Sequence, residues 1–167
     1  GHVSTFSFYP NKHITTGEGG MVVVDDDFLA ERGKSLRNLC FGLVDRYRHE
    51  EMGWNFRMTN LQAALGLAQL EFLNQAILRK REIGSMYNHG LSDIPELKMP
   101  LSKNQHSENI YWVYGLVLNC ANITVESFCE HLKSEGIGTR RFFVPLHDQP
   151  VYQKIGLFKD EKYPNSI

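Results

Sequence analysis

Short apolar runs alternate with stretches of helical period along this chain. Ser4 to Tyr9 alternates small polar with aromatic residues, the period of a short strand, and Pro10-Asn11 breaks it. Met21 to Val24 is a continuous apolar run, expected as a buried strand. Between them Thr15-Thr16-Gly17-Glu18-Gly19-Gly20 makes a tight, glycine-rich connection. Asp25-Asp26-Asp27 supplies acidic capping residues for a helix through Leu29, Leu36 and Leu39. Phe41 to Trp54 has no period and reads as a long loop of functional kind. Thr59 and Gln62 form a capping-box pattern, followed by Leu61, Ala64, Leu65, Ala68 and Phe72 at helical spacing. That pattern continues through Ile77 and Ile83 to Tyr87, with Arg79, Lys80 and Arg81 as a solvated face. Ser92 to Gln105 carries Pro95 and Pro100 and is a connector. Ile110 to Leu118 is expected as a buried strand. Thr124 caps a helix through Phe128 and Leu132, closed by Gly136. Thr139 to Val144 is expected as a further strand, leading into Pro145-Leu146-His147. Strands alternating with helices give the class α/β.

Composition narrows the function classes. The 167 residues, 42% of them hydrophobic, suffice for one ordinary domain or parts of two. A net charge of -1 with both signs interspersed gives no footprint for nucleic acid. Cys40, Cys120 and Cys129 are odd in number and unclustered, so neither a disulfide framework nor a metal site is expected, and a reducing compartment fits. The apolar runs are too short to cross a bilayer, and no secretory leader opens the chain, so the cytoplasm is the expected location. The absence of an initiator Met and the Pro164-Asn165-Ser166-Ile167 ending suggest a fragment.

Candidate chemistry gathers at Phe6 to Gly20. Lys12 stands in a turn between two apolar strands, with Ser7 five residues before it. An amine that must form an imine with an aldehyde cofactor, and later carry protons, needs a fixed base and a mobile tip. A serine hydroxyl suits a phosphate oxygen. On residue type alone the reading of a solvated turn lysine prevails, and Gly17-Glu18-Gly19-Gly20 fits a hairpin turn. The latter has neither the P-loop order nor that of a dinucleotide-binding turn.

Three blocks change that balance. Gly1 to Tyr9 with Lys12 to Val24, Gly53 to Ala64 with Gly66 to Leu70, and Gly136 to Arg140 through His147 resemble the DegT/DnrJ/EryC1/StrS family of sugar aminotransferases. The resemblance covers essentially the whole chain. Within the family it is most similar to the perosamine-synthase type, which aminates C4 of a GDP-linked 4-keto-6-deoxy sugar. It implies part of the type I fold of pyridoxal-phosphate (PLP) transferases, as in aspartate aminotransferase. Residues 1–76 would end the large, mainly parallel PLP-binding domain, and 77–167 would form most of the small domain.

The resemblance also implies roles. Lys12 would be the Schiff-base lysine for pyridoxal 5'-phosphate, and Ser7 would contact its phosphate. Asn55, with Arg57 as a second candidate, would reach the phosphate in the neighbouring subunit of a homodimer with shared active sites. His147 would contact substrate, or be a loop histidine satisfied by backbone. Thr16 and Glu18 would shape the turn, and His13 would be a neighbour. Arg46, Tyr47, Arg48 and His49 would be a solvated loop, or meet a nucleotide diphosphate. The implied partners are a nucleotide-sugar substrate and an amino donor, glutamate, with no nucleic acid and no membrane. Lysine at position 12, where some relatives with histidine are dehydratases, favours amino transfer. A dehydratase and a non-catalytic binding or regulatory protein are the alternatives. The partner of the pyridinium nitrogen is expected upstream of Gly1, so the chain alone is expected to be inactive.

Overall fold

The structure, a computed structural model, describes residues 1–42, 44–164 and 166. Leu43 of the long loop, and Asn165 and Ile167 of the ending read above, lie outside the described residues. In chain order the elements are β1 (Val3–Ser7), β2 (Gly20–Val24), α1 (Asp27–Arg37), α2 (Asn60–Leu70), α3 (Leu73–Gly90), β3 (Leu97–Lys98), β4 (Val117–Leu118), α4 (Val125–Ser134), a 3₁₀ turn (Leu146–Asp148) and α5 (Pro150–Lys154). They form two compact units. One takes residues 1–87 and 101–114; the other takes 88–100 and the chain from Gly115 onward. The first passes into the second within α3, after Tyr87, further along than the 76/77 division read from sequence.

In the first unit β1 and β2 are antiparallel, from Val3 opposite Val24 to Ser7 opposite Gly20. Their connection holds no helix, so the chain turns back beside itself rather than crossing over, as a parallel pair would require. The expectation of burial for Met21–Val24 fails: Val22 is 65% exposed. Two strands make the whole sheet among the described residues, and β2 borders an open trough of about 1100 Å³ shared with α1, Trp54, Phe56 and Arg57. Asp26 caps α1, its Oδ1 accepting from Leu29 N at 2.8 Å. Lys34 and Arg37 sit in the last turn, where the helix dipole favours cations. The loop that follows closes on the end of this helix. Trp54 N donates to Leu36 O at 2.7 Å and Phe56 N to Arg37 O at 3.0 Å. Arg32 and Glu51 pair across its neck, with Nη2 to Oε2 at 2.7 Å. This hydrogen bond from Arg32 holds the Glu51 carboxyl below the usual carboxylate range.

The Thr59–Gln62 capping box forms as expected, with Gln62 N to Thr59 Oγ1 at 3.2 Å and Thr59 N to Gln62 Oε1 at 3.0 Å. The single long helix does not: a tight turn, Phe72 N to Gln69 O at 3.1 Å, separates α2 from α3. The expected strand over Ile110–Leu118 shrinks to Val117–Leu118. Asn109 Oδ1 accepts from Tyr111 N at 2.7 Å, and Tyr111 takes φ 47°, which no extended run can contain.

In the second unit β3 and β4 are antiparallel, with Leu97 opposite Leu118. Thr124 caps α4, accepting from Ser127 N at 3.1 Å. Gly136, at φ 77°, ends it as expected. Ile137 N bonds Leu132 O at 2.8 Å and Gly136 N bonds Lys133 O at 3.1 Å, the paired closure a left-handed residue permits. The strand expected at Thr139–Val144 is absent. No strand pairs with it among the described residues, and Phe142 and Phe143 stand exposed, packed edge-to-face.

Candidate active site

The Lys12 turn is built from main-chain bonds inward. Phe8 N donates to Gly19 O at 2.9 Å and Thr16 N to Phe8 O at 3.0 Å, closing the base of the excursion from β1 to β2. Lys12 N donates to Tyr9 O at 3.0 Å, and Tyr9 N to Ser7 Oγ at 3.3 Å. Thr16 is buried, its hydroxyl donating to Glu18 O at 2.7 Å. Thr16 and the Glu18 main chain therefore shape the turn, as expected. Gly19 is required twice over: its φ is 144°, and a Cβ would meet Thr16 Oγ1 at 2.8 Å and Met58 Cε at 2.9 Å.

Helix α2 grips this turn with one face. Gln62 Nε2 donates to Glu18 O at 3.1 Å. Gly66 lets Thr16 close in, since a Cβ there would lie 3.0 Å from Thr16 Cγ2. Gln69 holds both ends of one peptide residue: Oε1 accepts from Thr15 N at 3.2 Å and Nε2 donates to Thr15 O at 2.6 Å. On the other side, His13 Nε2 meets Ile110 O at 3.3 Å and Trp112 Nε1 donates to Asn11 O at 2.9 Å. His13 is thus held by backbone.

Lys12 is half-buried, and its ammonium lies 3.3 Å from the centre of the Trp112 ring. Among the described residues no carboxylate pairs with it. The Ser7 side chain is exposed, and its O–H donates to no described residue. Asn55 and Arg57 form a pair, Arg57 Nε donating to Asn55 Oδ1 at 2.8 Å, and Arg57 lines the trough rather than the Lys12 turn. In the second unit His147 stacks on Tyr163, ring centres 4.4 Å apart, with Nε2 3.5 Å from Asp148 Oδ1. These contacts are with side chains rather than backbone. The hydrogen bond to Glu161 pushes the Tyr163 phenol up. In the long loop Arg46 lies over Phe41, which also packs against Tyr47 and His49, so this group folds onto itself.

The DegT/DnrJ/EryC1/StrS aminotransferase family model matches residues 1–167. The chain belongs to this family. It is 38% identical over 164 residues to the GDP-perosamine synthase of Escherichia coli O157:H7, covering 98% of this chain and 43% of that protein. The Vibrio cholerae GDP-perosamine synthase is 37% identical over 157 residues, 93% of this chain and 42% of the relative. The chain thus spans less than half the length of these curated relatives. Among solved structures, PseC of Helicobacter pylori, an aminotransferase in pseudoaminic acid biosynthesis, superposes with a TM-score of 0.82 at 29% identity, over 99% of this chain and 44% of PseC. DesI, solved with its TDP-sugar product, gives 0.81 at 31%, over 92% of this chain and 39% of DesI. These neighbours have the type I fold of PLP transferases, as expected from sequence.

Membership points to pyridoxal phosphate, and the residues present fit it. A primary amine with no carboxylate partner among the described residues and a serine with a hydrogen to give stand on one braced hairpin. Sequence reasoning missed Gln69 and Trp112. A signal for the first existed: Gln62, Gly66 and Gln69 interrupt the apolar pattern at helical spacing. Trp112 was hidden within an apparent strand. No helix among the described residues is long and apolar enough to cross a membrane, and none of their His, Cys, Asp or Glu side chains cluster to hold a metal.

Proposed function

We propose that this chain carries the cofactor lysine of an aminotransferase acting on a nucleotide-linked 4-keto-6-deoxy sugar, with glutamate as amino donor. One observation carries the reading: the half-buried Lys12 amine, without an anionic partner among the described residues, on a hairpin in a chain that matches a sugar-aminotransferase family throughout. The identities to GDP-perosamine synthases support the substrate class. When bound, pyridoxal phosphate supplies an aldehyde to the amine and an electron sink to the reaction.

Lys12 then holds the cofactor, and once released its amine takes a proton from one carbon and returns it to another, as base and acid in turn. Ser7 donates its hydroxyl hydrogen to the phosphate. Asn55 and Arg57 offer an amide and a guanidinium to the phosphate in a partner subunit of a homodimer. Their mutual hydrogen bond fixes the fork they would present. His147, held against Tyr163 and Asp148, serves as a substrate contact. The first unit would complete the large domain and the second most of the small one, the 76/77 division read from sequence falling within α3. Cys40, Cys120 and Cys129 are unpaired, which supports a cytoplasmic setting.

Replacing Lys12 with Ala in the whole protein tests the reading. The expected result is loss of the visible absorbance of bound cofactor, and a rate lower by at least about a hundredfold. An unchanged spectrum defeats the assignment. The mass of the sugar product, aminated or deoxygenated, separates amino transfer from dehydration.

A further inference from the structure

The fold goes to some length to put an indole beneath Lys12. Asn109 is fixed first. Its N–H donates to Ser102 O at 2.8 Å, its Nδ2 to Leu101 O at 3.0 Å, and its carbonyl accepts from Arg81 Nε at 3.2 Å. Its Oδ1 then takes the Tyr111 N–H and curls the chain into the left-handed region, where an aromatic residue is strained. The Tyr111 ring is buried against α3 at Gly84, where a Cβ would come within 2.5–2.6 Å of three ring atoms. The next residue is Trp112. Its Nε1–H ties it to Asn11, the residue before the lysine whose ammonium lies on its face.

We propose that the face of Trp112 is the resting place of the Lys12 amine whenever that amine is not bonded to cofactor. This rests on the reading of Lys12 given above. An aromatic face attracts an ammonium through its quadrupole, an effect of roughly two- to thirtyfold in an equilibrium. Capture of the cofactor exchanges that contact for a bond. The lysine nitrogen forms a double bond to the aldehyde carbon, and the carbon–oxygen bond breaks. The oxygen leaves as water with two of the ammonium hydrogens. Trp112 therefore stabilises the released lysine and, by linkage, opposes cofactor capture by the same factor. Trp112 is a positioning residue, with an effect opposite in sign to that of a mere brace.

The test is a titration of cofactor-free whole protein with pyridoxal phosphate, read by visible absorbance, for W112F and W112L. Both variants lose the hydrogen bond to Asn11; only phenylalanine keeps a face. W112L is expected to bind the cofactor about three- to tenfold more tightly than W112F. Equal or weaker binding by W112L, the result if Trp112 only braces the turn, overturns the proposal. Should W112L fail to fold, a Trp54→Phe protein grown on fluorinated tryptophan decides. It keeps the shape and the N–H but has an electron-poor face. Tighter binding than the same protein with ordinary tryptophan supports the proposal, and equal binding overturns it. K12A is the control: a visible band persisting there overturns the lysine reading, and the role of Trp112 with it.

Discussion

At the residue scale, two contacts behind the Lys12 turn each predict a measurable loss. Gln69 closes both polar groups of Thr15 with one side chain, so Gln69→Ala leaves a half-buried N–H and carbonyl without partners. The expected cost is about 1–3 kcal/mol, read from the urea midpoint. Gly84→Ala drives a methyl into the Tyr111 ring, at about 1–3 kcal/mol. Removing the ring with it should restore part of the loss, so G84A with Y111A costs less than the sum of the two alone. The sequence marks Gln69 as a break in an apolar face but names no partner for it, and it does not mark Trp112 at all. Gln69 meets a partner 54 positions away, and Trp112 one 101 positions away, and no local pattern encodes such pairs. The candidate roles of Lys12 and Ser7 came from family resemblance; residue type alone favoured a solvated turn lysine.

At the element scale, what the sequence reveals is what neighbouring residues decide among themselves. The caps at Asp26, Thr59 and Thr124 and the closing Gly136 are local, and all four form where read. The strands over Ile110–Leu118 and Thr139–Val144 depend on a distant edge to pair with, and apolar period alone misplaced them. The long loop carries the pH prediction. Glu51 has a lowered pKa in the folded chain, so its link to Arg32 adds stability above the unfolded carboxylate pKa, about 4.3, and loses it as pH falls through the folded value. Glu51→Gln should therefore lower the melting temperature at neutral pH and converge with the parent once the pH has fallen below the folded value. A constant offset across that acid range would contradict this account.

At the scale of the whole molecule, the proposed homodimer makes a prediction by symmetry. If Lys12 acts in one subunit with Asn55 of the other, K12A and N55A homodimers are each impaired at every site. Mixed dimers carry one intact site of two. Random reassortment should then restore about a quarter of wild-type sites, measured as turnover after co-refolding. No restoration would place both residues in one subunit's site. The order of the two units along the chain has a consequence of another kind. The first unit reclaims residues 101–114 after the chain has already left it, so neither unit is a contiguous cassette. A chimera between two relatives joined once within α3 would give one parent's lysine the other parent's indole. Grafting the second unit cleanly therefore takes three junctions, and single-crossover recombinants should melt below either parent even when each parent is sound.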